Sequence, residues 1–283
     1  MAPGAAAVES MGVLARPPIA QRFPAPSVMG VVNVTPDSFS DGGVHLRADV
    51  AVAAAREMLD AGAAIVDVGG ESTRPGSEGV TVAEELERVE PVLAALSGAA
   101  VSIDTSKAAV AGRAIELGVE LVNDVTALRS EPELAGVVAD AGCYLCLMHM
   151  QGEPRTMQVA PRYDDVVSDV KRFLEQRLAV AVDAGVREEL VCLDPGIGFG
   201  KTAAHNFELI RRLPELVELG RPILIGFSRK SSLGALVGAP TGSAAASVGV
   251  AVAAYERGAS IIRAHDVREH VEALAAARAV TVA

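Results

Sequence analysis

One unit recurs along this chain and limits what it can fold into: an Ala-rich amphipathic segment, then a glycine, then a short β-branched run. Met58-Leu59-Asp60-Ala61-Gly62 leads into Ala64-Ile65-Val66-Asp67, and Ile115-Glu116-Leu117-Gly118 leads into Glu120-Leu121-Val122-Asn123. Gly142, Gly185, Gly220 and Gly258 repeat the arrangement. A glycine just past a helix accepts the left-handed conformation that ends it. Thr81-Val82-Ala83-Glu84 has the form of a capping box and opens a helix over Ala83 to Leu96. The predicted strands end near Asn33, Asp67, Asp104, Asn123, Met148, Asp194, Gly226 and Arg263, eight in all. Short apolar runs alternating with helices predict parallel strands joined by right-handed crossovers. Eight such units favour a closed (β/α)8 TIM barrel in the α/β class, with an open doubly wound sheet as the alternative. Residues 1–20 read as a loose leader, a short N-terminal extension, and residues 21–283 as one barrel.

Composition narrows the partners. With 25 Lys plus Arg against 36 Asp plus Glu, the net charge is −11. No overall positive field holds such a chain on nucleic acid or anionic lipid, so neither is an expected partner. There is no Trp, and three Tyr and six Phe give few platforms for stacking bases. An anionic small molecule would need a locally basic pocket. No apolar run approaches the roughly 18 residues of a membrane span, and no basic n-region precedes the Ala-rich start. Three Cys make no disulfide framework. Cys143 and Cys146 are spaced C-x-x-C, but both fall in an apolar run that reads as a strand. There, residues three apart face opposite ways. A core role for both, in a reducing cytoplasm, is expected.

The strand ends carry the chemistry. Asn33, Asp67, Asp104, Asn123 with Asp124, His149, Asp194, Ser228 with Arg229 and Lys230, and Arg263 with His265 all sit at the ends of runs. Asp and Asn are common turn residues, so one such residue means little. Eight together have no structural reason, and barrel enzymes build their sites on that face. Gly200-Lys201-Thr202 looks like the end of a Walker A loop, but Pro195 stands where its first glycine is needed. The five His form no H-x-x-x-H pattern, which argues against a dedicated zinc site. His149 reads equally as a satisfied strand-end histidine or a site residue. His205 and His270 fall on predicted helices.

At these same strand ends, from about Val28 onward, the sequence resembles the dihydropteroate synthases. The resemblance rests on the run from Met29-Gly30-Val31-Val32-Asn33-Val34-Thr35-Pro36-Asp37 to Gly43, and on Asp67-Val68-Gly69-Gly70-Glu71-Ser72-Thr73-Arg74-Pro75-Gly76. Ser102-Ile103-Asp104-Thr105, Asn123-Asp124-Val125, Met148-His149-Met150-Gln151-Gly152, Asp194 to Lys201, Ser228-Arg229-Lys230 and Arg263-Ala264-His265-Asp266-Val267 follow in order. The resemblance implies an enzyme that joins a dihydropterin pyrophosphate to p-aminobenzoate. It implies that Asp194 and Asn123 hold the pterin edge, with Asp104 and Lys230 completing that pocket and Met148 beside it. Asn33 would help to hold a Mg2+ on the pyrophosphate. Arg74, Arg263 and His265 would lie near the leaving group, and Thr73, Pro75, Phe199, Ser228 and Lys230 would line the p-aminobenzoate site. Asp104, Lys230 and Asn33 are the candidate catalytic residues. Ala264, Ala127 and Ile197 depart from the family pattern without removing a polar group.

The residues make physical sense in these roles. A pterin presents an amino group and a ring N–H, and a buried carboxylate is the matching acceptor pair. The basic residues after strands seven and eight fall where barrels often bind phosphate. Mg2+ takes few protein oxygens alongside phosphates, which suits a lone Asn33 amide. Departure of pyrophosphate needs positioning and charge stabilisation rather than an enzyme nucleophile. Two other readings stay open: a pterin-binding methyltransferase using methyltetrahydrofolate and a corrinoid protein, and a non-catalytic pterin-binding homologue. The segment Ser243 to Tyr255, apolar all round, predicts a helix buried on most faces, one of them against a second subunit in a homodimer.

Overall fold

A computed structural model of the chain describes residues 16–35, 44–72, 79–152 and 156–281. The expected runs form β1 (Ser27–Asn33), β2 (Ile65–Gly69), β3 (Val101–Asp104), β4 (Leu121–Asp124), β5 (Tyr144–Met148), β6 (Val191–Asp194), β7 (Ile223–Ile225) and β8 (Ala259–Ala264). Each pairs in parallel with the next, and β8 pairs with β1, so the sheet closes on itself. The barrel holds, and the open sheet is excluded. A short α1 (Ile19–Arg22) precedes β1, and α2 (Val44–Asp60), α3 (Val82–Ala95), α4 (Ala108–Glu116), α5 (Leu134–Ala141) and α6 (Val166–Asp183) follow the first five strands. Then come α7 (Ala203–Arg211) and α8 (Leu213–Val217) after β6, α9 (Ser231–Val237) and α10 (Ala244–Tyr255) after β7, and α11 (Val267–Thr281) after β8.

The local signals act as the sequence predicts. Thr81 Oγ1 accepts from Glu84 N at 3.3 Å, and Glu84 Oε2 accepts from Thr81 N at 2.8 Å, so the capping box opens α3. The six helix-ending glycines all take left-handed φ, from +58° at Gly142 to +101° at Gly62 and Gly258.

Strand alternation sorts the core into two layers. Outward residues such as Val66, Val68, Val122, Leu145, Leu147 and Leu193 pack against the helices. Inward residues Met29, Ile65, Leu121, Tyr144, Cys146, Cys192, Leu224 and Ile261 fill the lower barrel. Cys143 joins the outer layer and Cys146 the inner, as their spacing on a strand requires, and all three Cys are free and buried.

Residues 16–20, read from sequence as part of the loose leader, belong to the barrel floor instead. Ile19 and Phe23 are each 1% exposed and close the inner plug from below. Tyr144 donates its hydroxyl to Pro17 O at 2.9 Å, and Arg22 grips Glu120 through Nε and Nη2 at 3.0 and 2.6 Å. A TIM barrel left open at its amino end would expose that plug, so a short apolar segment covers it. The all-apolar α10 also differs from expectation. It buries only one stripe, Ser247, Ala251 and Ala254, while Ala245 and Gly249 are exposed.

Candidate functional site

The site lies above the plug on the same inward faces. On four strands the inward residue two places beyond a plug residue is polar: Asp67 after Ile65, Asn123 after Leu121, Asp194 after Cys192 and Arg263 after Ile261. Met148 stands likewise beyond Cys146, and Asp104 beyond the buried Ser102. Because side chains alternate, these groups converge on the barrel axis at its carboxyl end.

Asp67 is the hub. It is fully buried and accepts from the Ser102 hydroxyl, from Asn123 Nδ2 at 2.9 Å and from Arg263 Nε at 2.7 Å. Arg263 spans to Asp104, donating from Nη2 at 3.0 Å. Burial alone would lower the Arg263 pKa, but Asp67 and Asp104 outweigh it and hold the guanidinium firmly charged. Burial, with the charge of Asp67 beside it, pushes the Asp104 carboxyl up to about 7. With its Nδ2 committed to Asp67, Asn123 keeps a buried Oδ1 that has no hydrogen-bond partner among the described residues. An orphaned buried carbonyl is costly, and at a barrel mouth it is an acceptor held ready for a ligand donor. Asp194, 6% exposed, accepts from Gly196 N at 2.7 Å, and burial raises its pKa to about 6.

Phe199, Ser228, Lys230 and His265 form the neighbouring wall. Lys230 Nζ lies 4.6 Å over the Phe199 ring, a cation–π contact. Phe199 also packs on the buried group of Val125, Met148, Met150 and Met157. Ser228 Oγ accepts from His265 N at 3.2 Å and meets His265 Nδ1 at the same distance. Asn33 ends β1, half-buried, and no described residue takes up its side-chain amide. Thr73, Arg74 and Pro75 lie outside the described residues.

The expected basic pocket is weaker than the sequence suggests. Burial, then Arg263, depresses His265 to about 4, so it is neutral at neutral pH. Burial and Arg263 bring Lys230 down to about 8. Arg263 faces two carboxylates, and Arg229 pairs with Asp266. Desolvation and pairing, which residue counting ignores, offset much of the positive charge of these four residues.

Other strand-end groups turn out to be structural. Asp124 points outward and builds a turn, accepting from Thr126 N and Oγ1 at 2.8 Å and from Leu128 N at 2.6 Å. His149 lies one place past inward Met148, packs edge-on against Phe173 at 4.8 Å and meets Lys201. Gly200-Lys201-Thr202 is no phosphate loop: Thr202 caps α7 in a capping box with His205. His270 is buried against Asp266 O at 2.6 Å. Asp67 belongs to the site although the sequence gives it no role there beyond its place at a strand end; its parity with Asn123 and Asp194 is the signal that marks it. Lys201 carried no such signal.

Comparison with known proteins gives three concordant findings. Residues 29–265 match the family described as pterin binding enzyme. The chain is similar to the dihydropteroate synthase of Escherichia coli (strain K12), 48% identical over 253 residues that cover 88% of this chain and 89% of that one. Among solved structures it is similar to the Yersinia pestis dihydropteroate synthase with a sulfonamide drug, with TM-score 0.86, 47% identity and coverage of 91% and 95%. It is also similar to the Xanthomonas albilineans enzyme with 4-aminobenzoic acid, with TM-score 0.85, 44% identity and coverage of 92% and 95%.

Proposed function

The chain belongs to the pterin-binding enzyme family, among the dihydropteroate synthases, and on that premise we propose how its barrel mouth joins 6-hydroxymethyl-7,8-dihydropterin pyrophosphate to p-aminobenzoate. The observation that carries the reading is the pair of acceptors fixed above the plug. Asp194 is a carboxylate at neutral pH, since its pKa is raised only to about 6. The unpartnered Oδ1 of Asn123 sits at the same height. A pterin edge offers the amino and ring N–H donors both require, and charge-assisted bonds to Asp194 make the anchor strong. Asp67 orients Asn123 and Arg263 from behind.

The reacting end then lies toward the loops after β7 and β8, with Lys230, the Ser228–His265 pair and Arg263. In the reaction the methylene C–O bond breaks and its electron pair leaves with pyrophosphate. The amine of p-aminobenzoate forms the new C–N bond and releases a proton. The chain's own residues hold, orient and stabilise separating charge, and Phe199 under Lys230 supplies an apolar wall and a cation for an aromatic acid. Asn33 is the candidate Mg2+ contact. Its side-chain oxygen is an uncommitted hard donor, and no described group of three His, Cys, Asp or Glu forms a protein cage. That suits an ion carried mainly by phosphate oxygens. Bound there, Mg2+ would neutralise leaving-group charge alongside the cations of the mouth.

The uncovered apolar face of α10 supports a homodimer, visible by light scattering as twice the 29.1 kDa chain. Three buried free thiols fit a reducing cytoplasm, and no described helix is long and apolar enough to cross a membrane. The decisive assay supplies the pterin pyrophosphate, p-aminobenzoate and Mg2+ and follows pyrophosphate and dihydropteroate. Both should appear together. Failure to form either, with methyl transfer from methyltetrahydrofolate to a corrinoid protein instead, would overturn the reading.

A further inference from the structure

Lys201, in the loop between β6 and α7, has no part in the scheme above, yet it is only 3% exposed. Its Nζ lies 2.8 Å from His149 Nδ1, 2.9 Å from Gly196 O and 3.0 Å from Phe199 O, with the His149 carbonyl at 3.4 Å. Among the described residues no carboxylate lies within ion-pair distance of it. Burial draws Lys201 down to about 7, so near neutral pH its amine is shared between charged and neutral forms. In either form two of its protons satisfy the carbonyls of Gly196 and Phe199, and the contact to His149 Nδ1 is a hydrogen bond whose donor follows the charge state. Burial, then Lys201 itself, holds His149 neutral by depressing its pKa to about 2.

The loop is pressed onto the end of β5. A Cβ at Gly196 would fall 1.9 Å from His149 O, and one at Gly200 2.6 Å from Gln151 O, so glycine is required at both, each with positive φ. Lys201 thus gathers the carbonyls at both ends of one turn of its own loop, which Phe199 N closes onto Gly196 O, and a ring from the loop after β5. One of those carbonyls belongs to Phe199, whose ring meets Lys230.

We propose that Lys201 is a positioning residue for the p-aminobenzoate half of the site: by tying Gly196, Phe199 and His149 together it fixes the Phe199 ring beneath Lys230 without touching either substrate. The proposal rests on the synthase reading and sharpens it, because it assigns separate supports to the two substrates. Asp67 serves the pterin side, and Lys201 serves the other.

The test is steady-state kinetics on the full chain, with folding of each variant checked by circular dichroism. Turnover by the wild type tests the synthase reading separately. Lys201→Met should raise KM for p-aminobenzoate roughly tenfold, by letting the ring that lines its site shift, and move KM for the pterin pyrophosphate less than about threefold. Phe199→Ala should show the same selectivity, and the double variant should be no worse than Phe199→Ala alone, because both act through one ring. If Lys201→Met does not fold, His149→Phe, which keeps the Lys201 side chain and its two carbonyls, carries the test. It should raise KM for p-aminobenzoate a few-fold with the same selectivity. Equal rises in both KM values, or losses that multiply in the double variant, would reduce Lys201 to a general stabiliser of the fold.

Discussion

The floor and the mouth of this barrel are built from the same strands, two residues apart, and obey opposite rules. At the floor, Met29, Ile65, Leu121, Tyr144 and Ile261 meet Ile19 and Phe23, and the polar groups stay at its edge, where Tyr144 reaches Pro17 O and Arg22 holds Glu120. At the mouth, Asp67, Asp104, Asn123, Asp194 and Arg263 occupy the next inward layer, with Asn123 Oδ1 left unpartnered. The floor is where burial stabilises the fold. The mouth buries carboxylates whose pKa values rise because the charged form is disfavoured there. A barrel can place such a destabilising site precisely above a stabilising plug because strand alternation delivers both to the axis.

Substitutions in the two layers should therefore separate binding from stability. The largest effect expected is at the mouth. Asp194→Ala removes the acceptor for two pterin donors and should lower pterin affinity by at least about a hundredfold, at roughly 1.5–3 kcal/mol for each charged bond. Calorimetric affinity within about threefold of wild type would mean that Asp194 only caps its turn. Next comes the floor. Phe23→Ala empties a site 1% exposed and should cost roughly 3–5 kcal/mol of stability in a denaturant titration. Both KM values should stay unchanged while the chain is folded. A substrate-selective KM change would show that floor and mouth are coupled.

The smallest effect is a pH dependence of opposite sign for the two properties. The Asp194 pKa is raised from 3.8 to about 6 by folding, so its contribution to stability is present below about pH 4 and is lost as pH rises through 6. Pterin binding needs the carboxylate and should strengthen over that same rise. Asp194→Asn should flatten both trends, leaving a residual slope from Asp104, which is raised in the same direction. Parallel pH profiles for wild type and variant, in melting and in calorimetry, would remove Asp194 from both roles.

Much of this is legible in the amino-acid sequence. The helix–glycine–strand repeat determined eight parallel strand–helix units, because a left-handed glycine and a β-branched run are local instructions, while their closure into a barrel was decided by β8 pairing with β1. The ends of the apolar runs marked Asp104, Asn123, Asp194, Lys230 and Arg263 as candidates, and the family resemblance gave them their roles, because where a strand stops is a local property of the chain. Parity also held what was overlooked, that Asp67 faces in while Asp124 and His149 face out. Tertiary structure alone decided the rest. That Ile19 and Phe23 plug the floor depends on a gap that exists only once the barrel has closed. The protonation of His265, the pairing of Arg263 with two carboxylates and the burial of Lys201 among carbonyls depend on distances between segments far apart in sequence. Charge and solvation act through space, and only the closed barrel brings those segments together.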